Sequence, residues 1–110
     1  MAEKSTPVKV LILFGKPVDE DLFGRHFNTV HLKLLDDLAG LQQRSINYVA
    51  GSVTGDSPFH LLVELQFATE PDMQRALNSE AGQAMARDFT NFASGGVSVL
   101  LCRTDDAVPD

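Results

Sequence analysis

One cysteine, Cys102, in 110 residues leaves the chain without an intrachain disulfide, and with only three histidines its thiol and imidazole ligands are too sparse for a structural zinc site. Stability must then come from a packed core. At this length a single domain buries about two thirds of its unfolded surface, enough to fold without covalent staples. A reducing cytoplasm suits such a chain. Positive charge is also scarce: nine Lys plus Arg stand against fifteen Asp plus Glu, a net charge of −6, and neither sign forms a long block. Nucleic acid and anionic membrane surfaces are therefore not expected as partners. Long apolar runs are missing too. The run inside MAEKSTPVKVLILFG spans about seven residues, too short for a membrane crossing and without a small-residue cleavage site, so it reads as a strand. No His, Asp or Glu cluster shows metal-ligand spacing, and no metal, haem or other cofactor is expected.

What is present is a regular alternation of strand and helix signals. Pro7 to Gly15 reads as a strand that is apolar on both faces. Asp19, Glu20 and Asp21 supply an N-cap and first-turn negative charge for a helix that runs to Leu38, with Gly40 as its C-cap. Leu41 to Val53 reads as a second strand, followed by a turn over Thr54 to Pro58. In the third strand, Phe59 to Ala68, Phe59, Leu61, Val63, Leu65 and Phe67 share one face, while His60, Leu62, Glu64, Gln66 and Ala68 share the other. Asp72 to Asn78 and Glu80 to about Phe89 read as two helical segments, and Val97 to Thr104 as the last strand. The order β-α-β-β-α-β predicts an α+β, ferredoxin-like domain over residues 7–104, with frayed tails at 1–6 and 105–110. Its antiparallel four-stranded sheet would have helices on one face only. The other face would remain apolar and open, and a second copy of the sheet is its simplest cover, giving a homodimer.

The first helix, DEDLFGRHFNTVHLKLLDDL, carries two of the histidines. At about 100° per residue from Phe23, an apolar stripe runs through Phe27, Val30, Leu34 and Leu38. His31 falls about 80° round, on the shoulder of that stripe, and His26 falls on the opposite shoulder. This predicts a His31 ring at a cavity wall, where an imidazole can shuttle protons; a boundary histidine bonded to a backbone carbonyl is the plainer alternative.

Three stretches resemble the EthD family of the dimeric α/β-barrel superfamily: HFNTVHLKLL at His26 to Leu35, NSEAGQAMARDF at Asn78 to Phe89, and NFASGGVSVLL at Asn91 to Leu101. The similarity runs from about Val8 to Arg103. It implies a homodimer whose two sheets close a barrel, with a ligand cavity between sheet and first helix in each subunit. Members similar to this chain accompany oxidative breakdown of small organic compounds, and neighbouring families are lactone isomerases, polyketide cyclases and cofactor-free monooxygenases. The family histidine of the first helix lands on His31. Two departures stand out. Lys33 replaces a proline, which should keep the helix regular, and His26 takes the place of an aromatic residue. The Tyr and His of plant polyketide cyclases would fall near Ala76 and Gly82, which argues against a cyclase.

The catalytic candidates are therefore His31 and Glu64. Glu64 reaches His31 only if the apolar face of the third strand lies against a partner sheet; the opposite facing makes it a paired charge at the dimer contact. Phe27 is the ring beside His31. Tyr48 is open between packing and ligand contact. Asn91 and Phe92, expected in the loop before the last strand, are the remaining ligand-binding candidates, with a turn role as the alternative for Asn91. Cys102 reads as core. Two functions stay open: a cofactor-free enzyme, or an accessory protein, handling a small, mostly apolar, oxygenated compound; or a non-catalytic binding or interaction module.

Overall fold

A computed structural model describes residues 7–105; the tails expected at 1–6 and 105–110 lie outside these, apart from Asp105. Four antiparallel strands form one sheet in the order β2-β3-β1-β4, with β1 at Val8–Gly15, β2 at Leu41–Tyr48, β3 at Phe59–Phe67 and β4 at Val97–Arg103. Helices α1 (Glu20–His26) and α2 (Leu32–Asp36), joined by a π-helical turn over Phe27–His31, follow β1. Helices α3 (Glu70–Asn78) and α4 (Glu80–Phe92) follow β3. This is the expected ferredoxin-like α+β architecture.

Local chemistry sets most boundaries. Asp19 Oδ1 accepts from the Asp21 and Leu22 amides, Thr69 Oγ1 from Asp72, and Ser79 Oγ from Gly82, so each long helix starts on a side-chain cap. Gly82 sits against the Ala76 and Leu77 carbonyls, where a Cβ would collide, which lets α4 turn sharply off α3. Gly15 and Gly95 pack backbone against backbone in the same way, and the Gly15 amide donates to the Gly96 carbonyl. That contact holds the end of β1 beside the segment between α4 and β4.

The alternating strands divide cleanly. Val8, Val10, Ile12 and Phe14 of β1 and Leu61, Val63, Leu65 and Phe67 of β3 are buried under the helices, in register with one another. Burying each of these side chains contributes about 1.5–3 kcal/mol. Lys9, Leu11, Leu13, Leu62, Glu64, Ser98 and Leu100 point to the other face, which no element of the described chain covers. Leu100 there is 49% exposed.

Several expectations need correction. β2 stops at Tyr48, because Gly51, Gly55 and Pro58 favour a looped excursion over a ladder. α3 begins at Glu70, one residue after its Thr69 cap. α4 continues to Phe92, so Asn91 and Phe92 lie on its last turn and not in a loop. The first helix is not regular despite Lys33: the Leu32 amide reaches back five residues to the Phe27 carbonyl. This extra residue in the turn rotates everything after it. The buried face becomes Phe23, Phe27, His31, Leu35 and Leu38, whereas Val30, expected within the apolar stripe, is 40% exposed.

Candidate functional site

The rotated helix moves His31 from the shoulder into the core, where it is 0% exposed. Rings surround it: Phe89, Phe92 and Phe27 have centroids 5.2, 4.8 and 5.7 Å away, and Phe14 of β1 stands edge-on at 6.2 Å. One carboxylate enters this apolar box. Asp88 of α4, itself 5% exposed, accepts from His31 Nδ1 at 2.9 Å through Oδ2. Its Oδ1 accepts from His26 Nε2 at 2.8 Å and from Asn91 Nδ2 at 2.9 Å. His26 Nε2 also lies 3.0 Å from Oδ2.

The π-helical turn makes this possible. On a regular α-helix, residues five apart diverge by about 140°, too far to meet one carboxylate. Closing the turn with an i to i+5 bond narrows that angle enough for both rings to reach Asp88. Asp88 reaches them because it occupies the apolar stripe of α4 with Met85 and Phe92.

Burial pushes the Asp88 carboxyl up, but hydrogen bonds from Asn91, His31 and His26, and the charge of His26, outweigh this and hold it below its ordinary value. Burial likewise lowers His31, more than its bond to the Asp88 charge raises it. The stable combination is thus an anionic Asp88 and a neutral His31. A carboxylate only accepts, so His31 must carry its proton on Nδ1 and leave Nε2 as a bare lone pair. That Nε2 is buried without a hydrogen-bond partner. Leaving such an atom unpaired costs about 1–3 kcal/mol, and an oriented, buried imidazole nitrogen is also what a general base requires.

A cleft of about 220 Å³ lies next to the box, lined by Val18, Asp19, Leu22, Phe23, Asn91, Phe92 and Ser94. Asn91 and Phe92 belong to both: one bonds the carboxylate, and the other stacks on His26 at 4.9 Å and walls His31 from the cleft. Ser94 Oγ accepts from the Val18 amide and holds the rim.

Of the candidates named from sequence, His31, Phe27, Asn91 and Phe92 are brought together. Glu64 is not. The apolar face of β3 packs on the helices, so Glu64 lies on the opposite face, 3.4 Å from Lys9 Nζ. Tyr48 is half-exposed at the end of β2, where it meets His60 at 5.7 Å. His60 itself departs from alternation: a register shift where Phe59 to Leu61 oppose Phe14 and Gly15 sets its ring 5.1 Å from Phe23. Asp88 and the partnership of His26 were missed, although a lone acid in the stripe between Met85 and Phe92 is a readable signal. Among the described residues no group of three or more His, Cys, Asp or Glu could hold a metal ion; His26 Nε2 and His31 Nδ1 both point at the Asp88 carboxylate.

The model of the EthD domain family matches residues 16–96. This chain belongs to the EthD family. It is 30% identical over 105 residues to an uncharacterized 11.0 kDa protein of the thcB–thcC intergenic region of Rhodococcus erythropolis, covering 92% of this chain and 98% of that one. An ethyl tert-butyl ether d (EthD) family protein from Bacillus halodurans superposes with a TM-score of 0.84 at 25% identity, over 90% of this chain and 99% of that one. The fold is shared with a hydroxynitrile lyase from Passiflora edulis, at a TM-score of 0.75 and 14% identity over 97% of this chain and 100% of that one. Other structures with this EthD-like fold include the cofactor-independent oxygenase SnoaB from Streptomyces nogalater, at a TM-score of 0.69, and proteins from Bacteroides fragilis and Thermobifida fusca described as dimeric.

Proposed function

We propose that this EthD protein binds a small, mostly apolar, oxygenated compound in the cleft at Phe23 and Phe92 and handles one of its protons at His31, with no cofactor. The observation that carries the reading is the buried Nε2 lone pair of His31, oriented by Asp88 and left without a partner. A ligand O–H or activated C–H would supply that partner once the Phe92 ring turns aside, and the apolar box would strengthen the interaction by excluding water. Phe27 shapes the box, and Asn91 holds the carboxylate from the cleft side. Oxidative catabolism of small organic compounds, in the cytoplasm, is the setting this chemistry fits.

The working unit is a homodimer. Leu11, Leu13, Leu62 and Leu100 form an apolar centre on the uncovered face of the sheet, bordered at one end by Lys9, Glu64 and Gln66, and a second copy would bury it.

A second reading has its own support: Phe92 closes His31 off from the cleft, as suits a binding module whose histidine is structural. Two neutral probes of similar size separate the readings, p-cresol with an O–H and toluene without one. Binding to wild type and His31→Gln is followed by NMR, with melts to confirm folding. Proton handling predicts that His31→Gln weakens p-cresol at least tenfold and leaves toluene unchanged. Equal binding of both probes to both proteins would support the module, and binding of neither would reject the cleft.

A further inference from the structure

Asp88 is bonded from both sides by imidazoles of different exposure. His31 is sealed, whereas His26 keeps 26% of its side chain in solvent. Both nitrogens bond the same oxygen, Oδ2, at 2.9 and 3.0 Å, so they lie within about 6 Å of each other, where two like charges repel strongly in a partly desolvated setting. The elements packed on the two rings bring little else: β1 supplies Phe14, and α4 supplies Phe89, Phe92, Asn91 and Asp88. Among the described residues, Asp88 is the one ionisable group from those elements in hydrogen-bond or ring contact with either imidazole. A single negative charge can neutralise one imidazolium. A second would be buried without a counter-charge.

We propose that His26 and His31 work as one coupled pair across Asp88, in which proton uptake by the buried ring is matched by proton release from the half-exposed ring, making His26 a positioning residue for chemistry at His31. This rests on the reading of His31 as the proton-handling group. When His31 Nε2 takes a proton from a ligand O–H, an N–H bond forms, and the electron pair of the broken bond stays on the ligand oxygen. His26 in its imidazolium form then gives a proton from Nδ1 to water and becomes neutral, keeping its Nε2–H on Asp88. On the return step His31 delivers its proton to the product, and His26 takes one back from water. The net charge of the buried group never changes, and no proton has to pass through the carboxylate. Burial chiefly, and the nearby His26 in smaller part, lower His31 below its ordinary value.

The chain has only His26, His31 and His60, so their imidazole nitrogens can be followed separately by NMR across a pH titration without any ligand. In wild type, His31 should titrate in two steps. His26→Gln keeps a donor for Asp88 but removes the second imidazole, and it should collapse the His31 curve to one step with its midpoint moved upward. His60→Gln should leave the His31 curve unchanged. An unchanged His31 curve in His26→Gln, or one-step titration of His31 in wild type, would overturn the coupling. So would a His31 that stays neutral down to acid unfolding in both proteins. Because no ligand is used, this failure is distinct from a failed p-cresol titration.

Discussion

Removing the Asp88 carboxylate is the sharpest perturbation the structure offers. Asp88→Ala takes the acceptor away from three donors, whose costs differ with exposure. His31 Nδ1 is sealed in the aromatic box, and leaving its N–H unpaired costs about 1–3 kcal/mol. His26 and Asn91 keep access to water, so each loses only the net value of its bond, about 0.5–1.5 kcal/mol. Together these give a destabilisation of about 2–6 kcal/mol, which spans the cost of about 3–5 kcal/mol typical when one partner of a buried ion pair is removed. Against a total stability of about 5–15 kcal/mol, that is a large fraction.

Asp88→Asn should fall between wild type and Asp88→Ala. Its single carbonyl oxygen can still accept from His31, and His26 can change tautomer to accept from the new amide. Urea denaturation near pH 7.5 would give the free energies, with an unchanged m value showing that the unfolded state is not altered. Thermal melts should show a drop of about 10–30 °C for the alanine variant, taking roughly 5 °C per kcal/mol. A loss below about 1 kcal/mol for Asp88→Ala would refute the reasoning, because the carboxylate would then not be the group that satisfies the buried imidazole.

The two depressed groups predict that acid destabilises in two windows. His31 binds its proton more weakly folded than its ordinary 6.5, so its contribution is complete above that pH and is lost as pH falls below it. Asp88 likewise contributes above its ordinary 3.8 and loses that contribution below it. Denaturation across pH should show both declines, and His31→Gln should remove the upper one. The phase of the first helix is tested by Val30→Ala, expected to cost under about 1 kcal/mol, against Leu35→Ala, expected to cost about 2–5 kcal/mol; a reversed order would refute the π-helical turn. Gly95→Ala drives a Cβ into the Lys16 carbonyl and should cost at least about 1–3 kcal/mol, read from melts. For the dimer, light scattering should report about twice the 12.0 kDa chain mass and Leu100→Lys should shift it to the monomer. A wild-type monomer would remove that proposal.

Much of the architecture was legible because strands and caps announce themselves locally. Phe59 to Phe67 alternates without interruption past its first residues, and Asp19, Thr69 and Ser79 are ordinary helix starts. Which face of β3 meets the helices was not legible, since both faces of β1 are apolar and period-two patterning cannot rank them. That ambiguity left Glu64 beside His31 in one of two equal readings. The site was half visible. His31, Phe27, Asn91 and Phe92 could be named from pattern and resemblance, but their geometry depended on one added residue in a helical turn, a backbone choice that no side chain between Phe27 and His31 advertises. A fixed step of about 100° per residue carries that error forward and exchanges Val30 for His31.

The turn at Phe27–His31 also changes how this chain should be lined up with its relatives. It behaves as a one-residue insertion absorbed within a helix, so a relative whose helix is uninterrupted would need one residue fewer to bring the same two positions onto one carboxylate. Matching letter for letter across such a pair would slide one histidine off its true counterpart without opening any visible gap. Assigning roles across the family therefore calls for superposition of the helix axis before and after the turn, treated as two short segments with independent numbering offsets.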